Sequence, residues 1–169
     1  MNLTIQVGDR LPQATFRVMT ADGPVAKTTE DFFRDRTVVL VAVPGAFTPT
    51  CDRNHLPGYV TNAEVIRAKG IDVIIVTAVN DVFVLNAWAE ASGAGEKGIE
   101  FLADGNGDFA RALGLTYEGV ANGLGARSQR YAMIVEDGVV RVVNIEDAPS
   151  KADVSRADNL LRTMGAVLP

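Results

Sequence analysis

The chain contains one cysteine and one histidine, and they stand four residues apart, as Cys51 and His55 in the stretch VPGAFTPTCDRNHLPGY (43–59). A thiolate is a strong side-chain nucleophile, and an imidazole moves protons near neutral pH. Both together, just after an apolar run, point to nucleophilic or redox chemistry at this stretch. A cysteine-protease pair is one reading. That chemistry, however, needs an imidazole approaching from the side, with a third group to orient it. A histidine four positions along the same helix shares a face with the cysteine and suits a hydrogen-bonding or structural part better. The bland alternative for Cys51 is a small buried hydrophobe. With a single cysteine no intramolecular disulfide can form, which suits a reducing compartment.

The elements around this stretch must position it. TVVLVAVP (37–44) is short, β-branched and continuously apolar, as a strand covered on both faces should be, and IDVIIVTAV (71–79) reads the same way. Between them Tyr59, Val60, Ala63 and Ile66 recur at helical spacing, and Lys69-Gly70 supplies a stop. This is a βαβ unit with parallel strands. Pro44 and Gly45 turn the chain, and Pro49 suits a first helical turn because its missing N–H would be unpaired there anyway. Cys51 then lies in that first turn, at the C-terminal edge of a parallel sheet, where α/β proteins place their sites. The free N–H groups and partial positive charge of a helix start favour a thiolate over a thiol.

Further along, a helix is expected from Asp81, with Val82, Leu85 and Trp88 or Ala89 on one face, ending before SGAGEKG. YAMIVEDGVVRVVNI (131–145) reads as two strands joined at Asp137-Gly138, a favoured hairpin turn. The chain closes with SKADVSRADNLLRTM. There Ser150 and Asp153 form a capping-box-like start, and Val154, Ala157, Leu161 and Met164 form the buried stripe. The expectation is one α/β domain over residues 1–169 with a mixed sheet: βαβ, a helical middle, then ββα.

Composition narrows the partners. The 169 residues are 47% hydrophobic and 22% charged, ordinary globular values. A formal net charge of -5 and a pI near 4.9 leave no phosphate-neutralising excess, so neither nucleic acid nor an anionic membrane is expected as a partner. The start, MNLTIQVGDRLPQATF, lacks a basic patch followed by an apolar core, and the longest apolar run, Val38 to Val43, is far below the ~20 residues of a membrane helix. A cytoplasmic location follows as an expectation. DGNGDF (104–109) mimics a calcium loop, but Phe109 replaces the sharp-turn glycine and Leu115 the final glutamate. A turn with Asp108 as helix N-cap is the better reading. GVANGLGARS (119–128) lacks phosphate-loop spacing and leads into a strand, so it reads as a flexible loop beside a site. Cys51 and His55 alone are too few ligands for a transition metal, and no cofactor is expected.

VPGAFTPTCDRNHLPGY resembles the active-site segment of the peroxiredoxins, through the pattern Pro-x-x-x-Thr-x-x-Cys at Pro44, Thr48 and Cys51. With VTAVNDVFVLNAW and RYAMIVEDGVV it is similar to the type-five subfamily, over nearly the whole chain. The resemblance implies a thioredoxin-like fold with an N-terminal extension, and reduction of hydrogen peroxide and alkyl hydroperoxides. By the same resemblance Cys51 is the peroxidatic cysteine that becomes a sulfenic acid. The Thr48 hydroxyl bonds the thiolate and the incoming peroxide, and Pro44 shields the nucleophile from water. The family's distant arginine falls on Arg130, from the pattern of Arg then an aromatic opening a strand. Sequence physics alone does not choose it over Arg127, which otherwise reads as a solvated loop charge facing the opposite way. A homodimer is also implied. Some members carry a second, resolving cysteine, and here there is none. The resemblance therefore implies a one-cysteine enzyme reduced by an outside thiol, glutathione with glutaredoxin or thioredoxin. The rivals are a thioredoxin-like binding module and a thiol–disulfide transferase. The first would need none of these residues, and the second would normally show Cys-x-x-Cys where Thr48 stands.

Overall fold

Short runs of β-branched and apolar residues satisfy their backbone polar groups by pairing with one another. The computed structural model describes residues 4–167. Its strands are β1 (Thr15–Thr20), β2 (Gly23–Thr28), β3 (Thr37–Ala42), β4 (Val73–Ala78), β5 (Glu100–Ala103), β6 (Thr116–Glu118), β7 (Ala126–Ser128), β8 (Tyr131–Glu136) and β9 (Val139–Ile145). Its helices are α1 (Thr29–Phe33), α2 (Leu56–Ala68), α3 (Val82–Ser92), α4 (Asp108–Leu113) and α5 (Ala157–Val167). Seven strands form one mixed sheet in the order β2-β1-β5-β4-β3-β8-β9, and β6 and β7 pair separately. Strands β3, β4 and β5 run parallel, whereas β8 lies antiparallel against β3 and β1 antiparallel against β5.

The continuous apolar character of β3 has a direct cause: its alternate residues serve two cores. Val39 and Val41 face Leu56 and Tyr59 of α2, Trp88 of α3, and Leu160 and Met164 of α5. Val38, Leu40 and Ala42 face the other way, toward Phe32 and Phe33 of α1 and Phe109 and Leu113 of α4. The expected βαβ unit, the helix capped by Asp81 and the hairpin at Asp137-Gly138 are all present. Both turn residues have positive φ (47° and 79°), as a two-residue turn matched to strand twist requires.

Three readings change. The strands β1, β2 and β5 were not expected. The first two form an edge hairpin with only Phe16 fully buried, so no apolar run announces them. The last helix begins at Ala157, beyond Ser150 and Asp153, because the Glu146 carboxylate takes the N–H groups of Asp153 (2.7 Å) and Ser155 (2.8 Å). Val154 is consequently exposed, and Leu160 rather than Leu161 fills the core. Finally, Asp108 is the first residue of α4 rather than its cap. Gly107, at φ 74°, bends the chain so that the Asp104 carboxylate accepts from the N–H groups of Phe109 (3.0 Å) and Ala110 (2.9 Å). Among the described residues no helix is long and apolar enough to cross a membrane.

Candidate active site

Strand β3 ends at the C-terminal edge of the sheet, and the chain turns through Val43–Phe47 into a helix that starts at Pro49, with Asp52 N–H donating to Thr48 O at 2.8 Å. Residues Cys51–His55 then form a π turn, in which Leu56 N–H donates to the Cys51 carbonyl, one residue beyond α register. Pro57 supplies a local reason: it has no N–H to give Arg53, and its ring crowds that carbonyl in a regular helix. The widened turn keeps both Cys51 and His55 inside the protein, at 0% and 1% exposure.

Arg130 reaches them from the residue just before β8. The register Ala42↔Tyr131 sets it beside the exit of β3. It is 2% exposed, and its Nη2 donates to Cys51 Sγ at 3.1 Å and to Pro149 O at 2.9 Å. Its Nη1 lies 3.0 Å from His55 Nδ1, while its buried Nε has no partner among the described residues. On the other side of the imidazole, His55 Nε2 lies 3.0 Å from Ser155 O, and the Tyr59 hydroxyl donates to the same oxygen. Ser155 is held by Glu146, whose Oε2 accepts from Ser155 N (2.8 Å) and Ser155 Oγ (2.6 Å). Glu146 N–H closes the circuit by donating to Arg130 O at 3.0 Å.

Thr48 is partly exposed and donates its hydroxyl to Gly45 O at 2.7 Å. Pro44 is buried, and its carbonyl accepts from Arg127 Nη1 at 3.3 Å, while Arg127 Nε donates to Leu124 O at 2.9 Å. Arg127 is therefore no solvated loop charge. The β6–β7 hairpin brings it against the backbone of the active-site loop. A Cβ at Gly45 would lie 2.9 Å from Arg127 Nη1 and 3.1 Å from Thr48 Cγ2, so a side chain there would displace the end of Arg127. Phe47, at φ 62°, holds a left-handed conformation at the rim. Trp88 Nε1 donates to Asp52 Oδ1 at 2.8 Å, which ties α3 to the residue after the nucleophile.

Burial and then the adjacent Arg130 charge push the His55 imidazole down to about 4, against smaller opposing effects of Ser155 O and Glu146. Burial also opposes ionisation of Glu146, but the hydrogen bonds from Ser155, Asp153 and Val154 outweigh it and hold the carboxyl below its ordinary value. Burial, with the nearby Asp158 and Glu146 charges, raises the Tyr59 hydroxyl, so it stays a neutral donor. Cys51, Arg130 and His55 thus converge directly, whereas Thr48 and Pro44 shape the loop beside them. Sequence reasoning missed Tyr59, Glu146, Ser155 and the Pro149 carbonyl. Backbone oxygens carry no side-chain signature, and Ser155 lies 100 residues from the His55 it serves, while Glu146 acts on it through Ser155, nine residues on.

Chemically, the site offers a sulfur nucleophile shielded from water, with a fixed positive charge that can also meet an oxygen bonded to that sulfur. Comparisons with known proteins agree. The redoxin family model matches residues 6–161. Rice chloroplastic peroxiredoxin-2E-2 is 44% identical over 165 residues, covering 95% of this chain and 73% of that one. The hybrid peroxiredoxin hyPrx5 of Haemophilus influenzae is 42% identical over 157 residues, covering 92% of this chain and 64% of that one. The crystal structure of reduced Prx3 from Vibrio vulnificus in complex with hydrogen peroxide superposes with a TM-score of 0.90 at 46% identity, covering 95% and 99% of the two chains. The chain belongs to the peroxiredoxins, thiol peroxidases of the thioredoxin-like superfamily.

Proposed function

We propose that this peroxiredoxin reduces hydrogen peroxide and alkyl hydroperoxides by a one-cysteine cycle, with Cys51, Thr48, Arg130 and Pro44 as its working residues. The observation that carries this reading is the Arg130 guanidinium 3.1 Å from the chain's single cysteine sulfur. The Cys51 thiolate attacks the hydroperoxide oxygen; the S–O bond forms as the O–O bond breaks. The leaving oxygen takes the peroxide proton and departs as water or an alcohol, leaving a sulfenate. Negative charge spreads over sulfur and both oxygens in the transition state, and Arg130 is the fixed charge in reach of it. Pro44 excludes water from the loop, and the Thr48 hydroxyl can turn from Gly45 O to the peroxide.

An outside thiol then condenses with the protonated sulfenate, releasing water and giving a mixed disulfide. A second thiol reduces that disulfide, restoring Cys51 and carrying away a disulfide. Glutathione with glutaredoxin, or thioredoxin, fits this need, and a reducing compartment such as the cytoplasm would supply either. Intact-mass spectrometry tests the cycle. One equivalent of peroxide should add one oxygen, reversibly with thiol, and excess should add more irreversibly. Turnover should stop after one event without reductant, and Cys51→Ser should lose even that. Catalytic peroxide consumption with no thiol present would overturn the one-cysteine cycle, and a panel of reductants would identify the donor.

A second copy of the chain is the proposed assembly partner. Phe47 (49%) in the active-site loop, Phe83 (64%) in the first turn of α3 and Val120 (72%) in the turn between β6 and β7 are exposed apolar side chains. Ala46 N–H bonds Asn80 Oδ1 on one side, and Arg127 bonds Pro44 O on the other. Phe83→Glu should shift sedimentation from dimer to monomer; a wild-type chain that sediments as a monomer at all concentrations would dismiss the dimer.

A further inference from the structure

The peroxidase reading uses Cys51 and Arg130 but leaves the one histidine without a task. We propose that His55 is a positioning residue, held as the neutral Nε2–H tautomer, whose bare Nδ1 fixes the Arg130 guanidinium on the Cys51 sulfur. The proposal rests on the role given to Arg130 in the peroxide step.

Each ring nitrogen has its role set by its partner. Arginine has donors only, so Nδ1, 3.0 Å from Arg130 Nη1, must accept. The Ser155 carbonyl can only accept, so Nε2, at 3.0 Å, must donate. A doubly protonated ring would set an N–H and a positive charge against the guanidinium. The depressed affinity of this imidazole for a second proton agrees with that geometry. The single lone pair points at Arg130 rather than at Sγ, so His55 is not the base that takes the thiol proton. Two contacts made by one nitrogen, Nη2, leave the rest of the planar guanidinium unanchored. The contact from Nη1 to His55 adds the third point, after Sγ and Pro149 O. The imidazole is itself held on its far side. Its Nε2 partner, Ser155 O, is shared with the Tyr59 hydroxyl and anchored through Glu146, and the Tyr59 ring packs edge-on at 5.6 Å.

Because His55 is the only histidine, nitrogen-15 NMR of the wild-type imidazole reads the tautomer without assignment or mutation. At neutral pH Nε2 should show the protonated signature and Nδ1 the bare one, with the Nδ1 resonance moving in Arg130→Ala. The reverse tautomer overturns the proposal. The functional test is a double-mutant cycle on the single-turnover peroxide rate, which needs no reductant. His55→Ala should slow the wild-type site about ten- to thirtyfold, as loss of a hydrogen bond to a charged group would. In the Arg130→Ala background the same change should cost less than about twofold. His55→Gln, whose amide can accept from Arg130 and donate to Ser155, should recover most of the rate. Equal losses in both backgrounds would show that His55 acts other than through Arg130. A wild-type rate in Arg130→Ala would instead remove the role given to Arg130, and this proposal with it. If His55→Ala fails to fold, the tautomer measurement and the His55→Gln rate still decide the matter.

Discussion

At the scale of single residues, two arginines three positions apart do different work. Arg130 is buried with its charge on sulfur, and Arg130→Ala should lower the peroxide rate about a hundred- to a thousandfold, the range for a transition-state donor. Arg130→Lys should recover little, because one ammonium cannot span Sγ, Pro149 O and His55 Nδ1. Among the described residues Arg127 hydrogen-bonds only to backbone oxygens, and Arg127→Ala should cost several-fold at most. Gly45→Ala tests the same brace from below. Its methyl would meet Arg127 Nη1 and Thr48 Cγ2, so the rate should fall by about the same factor as in Arg127→Ala while thermal stability changes little. Stopped-flow traces of peroxide addition measure all four variants. Equal losses from the two arginine-to-alanine changes would contradict this division of labour.

At the scale of elements, the site is a junction of three. The helix from Pro49 carries the sulfur, the start of β8 carries the charge, and residues 147–156 supply the carbonyls of Pro149 and Ser155. Glu146 holds that last segment through three hydrogen bonds to one carboxylate oxygen. Glu146→Ala should destabilise the chain by about 2 kcal/mol, the cost of stranding buried donors, and should slow peroxide reduction because Ser155 O no longer steadies His55. Urea unfolding beside single-turnover rates would check both; a full rate in a destabilised variant would separate the segment from the site. Helix α3 adds a reporter. Trp88 bonds Asp52, next to Cys51, so its fluorescence should change on oxidation and that response should weaken in Asp52→Ala.

At the scale of the whole molecule, the buried imidazole links stability to acid. An ordinary histidine titrates near 6.5, whereas His55 in the folded chain does so at about 4. Between those values the unfolded chain binds a proton that the folded chain refuses, so unfolding is favoured as pH falls. The loss is absent above about 6.5 and complete near 4, where it reaches on the order of 3 kcal/mol. Glu146 acts in the same direction over a lower window. Its depressed value gives stability that is present above the ordinary carboxylate range and lost as pH falls through the folded value. Urea midpoints at a series of pH values should drop steeply for the wild type between 6.5 and 4 and less steeply for His55→Gln. Parallel curves would show that the imidazole charges freely when folded.

What the sequence determined by itself was local. The strand at 37–42, the helix start at Pro49, the cap at Asp81 and the turn at Asp137-Gly138 are each written within about ten residues, through apolar runs, caps and turn chemistry. The Pro44, Thr48 and Cys51 pattern carried the family and hence the reaction class. Tertiary structure decided the rest. Charge and spacing did not separate Arg130 from Arg127; the register that pairs Ala42 with Tyr131 does, and a slip of one residue would turn Arg130 away from the sulfur. The start of α5 and the task of His55 were equally out of reach. The first turns on a Glu146 carboxylate seven to nine residues away that matches no ordinary cap pattern, and the second on Ser155, brought beside α2 only once β8 and β9 have joined β3. Local propensity acts over a few residues, whereas a hydrogen bond between residues 51 and 130 exists only after the sheet order is settled.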